Sequence, residues 1–203
     1  FELGGTPLVV AAGTDIMLDG REGGGSEGSG SEGERDGRLP TLDAGGLSRL
    51  FEVSGGGRLV LRGVRLVGGV APADGHGGCI HVSGEAARLA LDGGTWLEGC
   101  EAQRGGAIAV LGGGAIELAG ATIANARAAG TTMNARGGAL YVEDGEATLL
   151  DLRIENAAAV GEGDQWAFGG AVAAWGAATV TLDDSTLTNA SAVTHGAGQA
   201  LGG

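Results

Sequence analysis

Apolar residues alternate with polar or small residues in short runs along most of the chain. In the stretch 105–126, GGAIAVLGGGAIELAGATIANA, apolar side chains recur two residues apart, and glycines separate the runs. The runs are about four to six residues long, which is a usual strand length. A period of two predicts β-strands, and no stretch shows the period of an amphipathic helix. We therefore expect an all-β protein.

The same pattern recurs at regular intervals. Residues 108–126 align without a gap on residues 51–69, which lie 57 positions earlier. The tetrapeptides GGCI, GGAI, GGAL and GGAV begin at Gly77, Gly105, Gly137 and Gly169, at intervals of 28, 32 and 32 residues. The next copy is expected to begin at Gly198, in GQAL. Each copy contains three predicted strands, and sequence repeats of this length are typical of solenoids.

A repeat of three short strands cannot bury its apolar side chains alone. Stacking one copy on the next pairs equivalent strands in parallel and forms a continuous core. The sequence therefore predicts a single-stranded, right-handed parallel β-helix, with Ile80, Ile108, Leu140 and Val172 in one inward column. We expect residues 1–203 to form one such domain, which is a segment of a longer chain because a repeat is restarting where the sequence ends.

Asparagine occupies an equivalent place in three copies. Asn125, Asn156 and Asn189 each follow the last inward aliphatic residue of the third strand by two positions. Stacked amides at a bend can bond to one another and to the turn backbone. We predict a structural ladder at these positions and assign it no ligand.

One segment departs from the strand pattern. Residues 19–38, DGREGGGSEGSGSEGERDGR, are rich in glycine, serine and acidic residues and contain nothing to bury. This composition is typical of a flexible loop inserted between coils. A calcium role for its acidic residues is the alternative, although their spacing fits no known calcium loop. The residues concerned are Glu27, Glu32, Glu34 and Asp36.

The overall charge restricts the partners. The formal net charge is −13 at pH 7, which disfavours nucleic acid and anionic membranes. No apolar run reaches the roughly 18 residues of a membrane-spanning helix. The glycine runs do not precede helices, so we predict no nucleotide or other cofactor site. The remaining partners are proteins or a larger assembly, with carbohydrate as an alternative.

Catalytic signatures of known β-helix enzymes are incomplete. Galacturonan hydrolases of this fold use four motifs, of which only Gly75-His76-Gly77 and Asp183-Asp184 occur, in reversed order. Asp92, Asp151 and Asp183 fall in nearly one column headed by Arg62, and paired carboxylates there could bind a cation. Solvated corner residues are the simpler interpretation. We predict no catalytic, cofactor or metal residues.

Aromatic residues offer no sugar-binding platform by sequence alone. Phe51 is inward by alternation, Trp166 and Phe168 lie in a predicted loop, and Tyr141 shares an outward column with His81. No convergence among them is expected.

The two cysteines leave two alternatives open. Cys79 begins a coil and Cys100 ends its third strand, 21 residues later. The pair forms a disulfide in an oxidising compartment and two small buried thiols in a reducing one. We favour the disulfide.

The motifs GGAI, GGAL and GGAV, with an aliphatic-x-Asn near the third strand, resemble the GGA[ILV] and FxxN repeats of the chlamydial polymorphic outer-membrane protein family. The resemblance covers residues 77–201, and 48–76 more loosely. It implies a right-handed parallel β-helix used in adhesion, located outside the cell or on its surface. We therefore expect a non-catalytic structural or interaction module. The alternative is a carbohydrate-active β-helix, a polysaccharide lyase or hydrolase, with its active site outside this segment.

Overall fold

The computed structural model describes residues 4–20, 39–72 and 75–202. Over these residues the chain is all-β, and every strand pairing is parallel. No helix of the length and apolarity needed to cross a membrane is found among them. The fold is a parallel β-solenoid with three main sheets and about three strands per coil, which confirms the predicted fold class. Its right-handedness stays a prediction.

Each main sheet takes one strand from each of six successive coils. The first sheet contains Leu8–Val10, Phe51–Ser54, Ile80–Ser83, Ile108–Leu111, Leu140–Glu143 and Val172–Trp175. The second contains Asp15–Asp19, Arg58–Arg62, Arg88–Asp92, Ala115–Ala119, Glu146–Leu150 and Thr179–Asp183. The third contains Thr41–Asp43, Arg65–Val67, Trp96–Glu98, Thr122–Ala124, Arg153–Glu155 and Thr186–Thr188.

The strand register stacks equivalent residues of successive repeats on one another. Ile80, Ile108, Leu140 and Val172 occupy one column, as predicted, and Phe51 extends that column. The first three of the predicted four are fully buried, whereas Val172, in the last coil, is half-buried. Aliphatic columns from all three sheets meet in one continuous core. The 57-residue offset in the sequence therefore corresponds to two coils.

The double glycine that opens each copy is required by the corner before the first sheet. Gly105, the first glycine of its pair, has φ +62°, a conformation that side chains disfavour. A Cβ atom on Gly106, the second, would lie 2.0 Å from the carbonyl oxygen of Gly138 in the next coil. The first glycine therefore makes the turn, and the second allows two coils to stack closely.

Two small lateral sheets lie outside the three predicted strands per coil. One contains Glu101–Ala102, Arg127–Gly130, Ala158–Glu162 and Ser191–His195, and the other contains Ala135–Arg136, Ala167–Phe168 and Ala200–Leu201. They form where the chain returns from the third sheet to the first. This return takes 99–104 in one coil but 125–136 in the next, which accounts for the longer 32-residue repeats. Four alanines form a separate small core there: Ala128, Ala135, Ala159 and Ala167.

The expected restart at Gly198 is wrong. Ala200 and Leu201 pair with Ala167 and Phe168, and the nitrogen of Gly170 bonds to the oxygen of Gly202. The glycine equivalent to Gly169 is therefore Gly202. The return segment before it is longer than the sequence pattern predicts, because its two-residue strand carries no alternating pattern.

The predicted flexible insertion at 19–38 falls almost entirely outside the described residues. Asp19 ends its strand in the second sheet, and Gly20 follows it. The four acidic residues of the calcium alternative, Glu27, Glu32, Glu34 and Asp36, lie outside the described residues.

Candidate functional site

The residue just before each double glycine belongs to a column on the outer flank of the first sheet. Bridges join His76 to Arg104 and Arg104 to Arg136, and Arg136 pairs with Phe168. This column therefore contains one histidine, two arginines and one phenylalanine, with one residue from each coil. It is set by the corner geometry, since each member precedes a glycine that makes the turn.

A second column lies beside it on the outward face of the first sheet. Its register runs Glu52, His81, Ala109, Tyr141, Ala173, which confirms the predicted sharing of a column by His81 and Tyr141. Although these side chains point away from the solenoid core, the flank covers the three central ones, His81, Ala109 and Tyr141. Tyr141 is fully buried and His81 is 9% exposed.

Arg136 is the centre of the contacts between the two columns. Its guanidinium carbon lies 4.0 Å from the ring centroid of Trp175 and 5.6 Å from that of Phe168. Its Nη1 donates to the hydroxyl of Tyr141 at 3.2 Å. A guanidinium over an aromatic face gains cation–π energy, more so when water is excluded. The side chain of Arg136 is therefore positioned by two aromatic rings and by one hydrogen bond.

Tyr141 links Arg136 to a carboxylate. Its hydroxyl donates to Glu143 Oε2 at 2.8 Å, and Arg104 Nη1 lies 3.9 Å from that oxygen. Burial raises the pKa of Tyr141 above its usual 10.0, and the hydrogen bond to Glu143 raises it further, while Arg136 opposes both effects. The phenol is thus neutral at physiological pH and serves as a hydrogen-bonding bridge.

The end of the flank nearer the N-terminus carries a buried polar group. Arg49, 1% exposed, has its Nη1 2.8 Å from His81 Nδ1 and 3.6 Å from Glu52 Oε2. Because arginine only donates, His81 Nδ1 accepts this hydrogen bond and carries no proton. The ring of His76 stacks on that of His81 with centroids 5.9 Å apart. These contacts tie the corner loops to the first sheet.

We call the opposite end the arginine–aromatic surface. Phe168 stacks with Trp166 at 5.8 Å, and Arg104 lies 5.7 Å from the Tyr141 ring. Trp166 and Trp175 are 38% and 50% exposed, so the surface reaches solvent. Its members are Arg104, Arg136, Tyr141, Trp166, Phe168 and Trp175.

This grouping corrects the expectation that the aromatic residues do not converge. Four of the seven aromatic residues in the chain lie in the arginine–aromatic surface. Sequence reasoning also missed Arg104 and Arg136. Their common place, directly before a double glycine, was the signal that could have identified them.

The asparagine residues lie where the ladder was predicted. Asn156 Nδ2 donates to Asn125 Oδ1 at 3.2 Å, and Asn189 Nδ2 donates to Asn156 Oδ1 at 3.0 Å. All three are exposed and have φ between +52° and +54°. Asparagine tolerates this left-handed conformation better than most residues. The amides thus bond along the solenoid axis at a strained corner.

A disulfide joins the two cysteines, whose Cα atoms are 5.5 Å apart. Cys79 and Cys100 are buried in the corner between the third and first sheets. In the next coil the equivalent positions are Ala107 and Ala126. Alanine fills this space elsewhere, so the bridge replaces a pair of small buried side chains.

The candidate catalytic groups do not come together. Asp92 and Asp183 share a column, but Ala119 and Leu150 separate them, and Asp151 lies one position further along, at a corner with φ +48°. The three aspartates thus lie in nearly one column, as predicted, with Asp151 and Asp183 on adjacent coils, but they do not form one cluster.

Asp92 instead forms an ion pair with Arg62, with Nε and Oδ2 2.9 Å apart. His76 lies beside the first sheet and Asp183 at the end of a second-sheet strand three coils later, so the partial hydrolase signature is not assembled. The described residues contain no group of three or more His, Cys, Asp or Glu side chains placed to hold a metal ion.

The fold and the arginine–aromatic surface are the features by which this chain can be compared with others. Its identification as a parallel β-solenoid rests on strand register and repeated corners. No protein-family model, no curated protein and no solved structure matches the chain.

Proposed function

We propose that this chain is a non-catalytic structural or interaction solenoid that binds a partner through its arginine–aromatic surface. The observation that carries the proposal is the grouping of four of the seven aromatic residues with two arginines on one flank. Tryptophan, tyrosine and arginine dominate the binding energy of protein interfaces. Their packing against one another also reduces the conformational entropy lost on binding.

The charge distribution also supports an interaction role for this flank. The chain has a net charge of −13, yet the arginine–aromatic surface carries two arginines, with Glu143 as the neighbouring carboxylate. A positive site on an acidic protein directs a partner to one place and orients it. We expect the partner to be a protein or a larger assembly.

Placement at the cell surface or outside the cell is part of the proposal. A buried disulfide is stable in oxidising compartments and rare in the cytosol. The GGA[ILV] motifs resemble the chlamydial polymorphic outer-membrane repeats, which are associated with adhesion. Together these two features support a role as an adhesion or scaffold module.

A second candidate function is that of a carbohydrate-active β-helix, a lyase or hydrolase, with its catalytic residues on coils outside this segment. The exposed faces of Trp166 and Trp175 favour it, because aromatic rings line most ligand sites and provide flat apolar contact. Catalytic carboxylates on adjacent coils of the full-length protein would support this alternative over the scaffold.

Photo-crosslinking tests the proposed docking surface. A benzophenone amino acid at position 166, on the arginine–aromatic surface, is compared in the native cells with one at exposed position 117, on the second sheet. We expect one discrete adduct from position 166 and none from position 117. The adduct should disappear when Trp175→Ala is added. Equal adducts from both positions, or none from position 166, would exclude the surface as the docking site.

A further inference from the structure

Arg136 differs from most of the described arginines because no described carboxylate lies within 4.0 Å of its guanidinium. Among the described residues, seven arginines lie within 4.0 Å of a carboxylate: Arg49, Arg58, Arg62, Arg65, Arg104, Arg127 and Arg153. Within the same residues, Arg88 and Arg136 have no such neighbour. In a chain with 25 acidic and 12 basic residues, an arginine without a carboxylate is unexpected.

The two exceptions differ in their surroundings. Arg88 is exposed on the second sheet, where water can solvate its charge, and it donates to the carbonyl of Ala87 at 2.9 Å. Arg136 is half-buried between Trp175 and Phe168. Its Nε atom is buried and has no hydrogen-bond partner among the described residues. Arg136 reaches Glu143 only through the hydroxyl of Tyr141, so an anion supplied from outside would give its partly buried guanidinium a direct partner.

The space beside Arg136 is an open cleft of about 280 Å³. Its lining includes Tyr141, Phe168 and Trp175, and Ala173, on the same outward face as Tyr141 and Trp175, contributes only a small side chain. The volume is at the lower limit of small-molecule sites, which suits a single substituted ring rather than a long chain. A cation and flat apolar walls therefore meet in one small space.

We propose that this cleft binds a ring-shaped carboxylate, with the ring against Trp175 and the carboxylate on the guanidinium of Arg136. Either a uronic acid sugar or an aromatic acid has this chemistry, because each combines a flat apolar face with one carboxylate. The site rests on the proposed function in that it lies on the same arginine–aromatic surface. It goes further by specifying what a partner must present there.

Binding of four small probes to the purified chain tests the proposal. The probes are glucuronate, benzoate, acetate and glucose, and the readouts are tryptophan fluorescence and isothermal calorimetry. We expect glucuronate, benzoate or both to bind at least about tenfold more tightly than acetate, which lacks the ring, and glucose, which lacks the charge. Binding of only one ring acid identifies the source as sugar or aromatic acid.

Three variants test the assignment of the site. Arg136→Met should weaken binding about 10- to 100-fold, since it removes a charge-assisted hydrogen bond but keeps most of the aliphatic stem. Trp175→Ala should weaken binding of the ring acids while leaving that of acetate unchanged. Arg88→Met is the matched control, because it removes the other arginine without a carboxylate, and binding should stay at the wild-type level. Circular dichroism establishes that each variant is folded.

The proposal is overturned if neither ring acid binds the wild-type chain at about 10 mM, a concentration that would detect millimolar affinity. It is also overturned if Arg136→Met and Arg88→Met affect binding equally, or if acetate and glucose bind as tightly as the ring acids. Failure of the binding experiment would not affect the crosslinking test of the docking surface at position 166. A missing adduct at position 166 together with glucuronate or benzoate binding would reject the docking surface and retain the cleft.

Discussion

At the scale of single residues, the ionisation of Tyr141 reports on the arginine–aromatic surface without a contribution from any other tyrosine. It is the only tyrosine of the chain, so its ionisation can be followed by ultraviolet absorbance. Glu143 accepts a hydrogen bond from its hydroxyl at 2.8 Å, whereas Arg136 donates one to the same hydroxyl at 3.2 Å. The two neighbours therefore act on the phenol in opposite directions.

We predict that Tyr141 ionises above pH 10.0 in the folded chain and close to 10.0 in denaturant, because burial raises its pKa. Glu143→Gln should lower the folded midpoint, and Arg136→Met should raise it. Above pH 10.0 the unfolded chain loses this proton first, so the stabilising contribution falls as pH rises through the folded pKa. A folded midpoint equal to that in denaturant would contradict the buried position.

Asn156 is the central member of the asparagine ladder and takes part in both of the side-chain hydrogen bonds that join its three members. We expect Asn156→Ala to lower the free energy of unfolding by about 1–3 kcal/mol. The change removes both hydrogen bonds, and alanine disfavours the left-handed backbone conformation at φ +53°. Asn156→Gly is the matched control, since it removes the same bonds but tolerates the backbone angle. Urea unfolding should rank Gly between Ala and the wild type, and equal losses would exclude backbone strain.

At the scale of the coil, close stacking depends on the second glycine of each pair. We predict that Gly106→Ala prevents normal stacking or lowers stability by more than about 3 kcal/mol, since the new Cβ would meet a backbone oxygen that cannot move alone. Gly94→Ala is the control, because nothing lies within 4 Å of its Cβ position and only its φ of +78° opposes the change. Thermal unfolding of the two variants should differ clearly, and similar melting temperatures would contradict this account.

The disulfide closes one coil upon itself. The unreduced chain should have a mass lower by two hydrogen atoms and no thiol that alkylates, even after unfolding. Replacing both Cys79 and Cys100 by alanine should leave the fold intact, because alanine occupies these positions in the next coil. It should lower the free energy of unfolding by about 3 kcal/mol through the loss of a 21-residue loop constraint. Two thiols that alkylate only after unfolding would show that the native chain is unbridged.

The strands of the main sheets could be predicted from the sequence. Alternation of apolar and polar residues indicates which side chains are buried, and double glycines indicate where the chain turns. The lateral sheets could not, since strands such as Ala135–Arg136 and Ala167–Phe168 are too short to show a period. The arginine–aromatic surface was missed for a related reason. Arg136, Tyr141 and Trp175 are far apart in their repeats, and only the register between coils and the path of the return segment bring them together.

At the scale of the whole molecule, the polar groups considered for catalysis are distributed over separate sheets and coils. We expect the 203-residue chain to release neither reducing ends nor unsaturated products from pectin or alginate. Asp92 is engaged by Arg62 and is separated from Asp183 by two coils, so these two carboxylates cannot act as a pair in acid–base catalysis. Product release that persists after Asp92→Asn and Asp183→Asn would reveal a site elsewhere, and release abolished by either would contradict the separation.

The covalent ring between Cys79 and Cys100 has a mechanical consequence. A force applied to the two ends would peel coils away in sequence, but the residues within the ring could not be drawn out while the sulfur bridge holds. With 21 residue steps of at most about 3.5 Å each, the ring would withhold roughly 70 Å of extension. Under tension the third coil would thus resist complete extension, and reduction of the disulfide would lengthen the fully stretched chain by that amount.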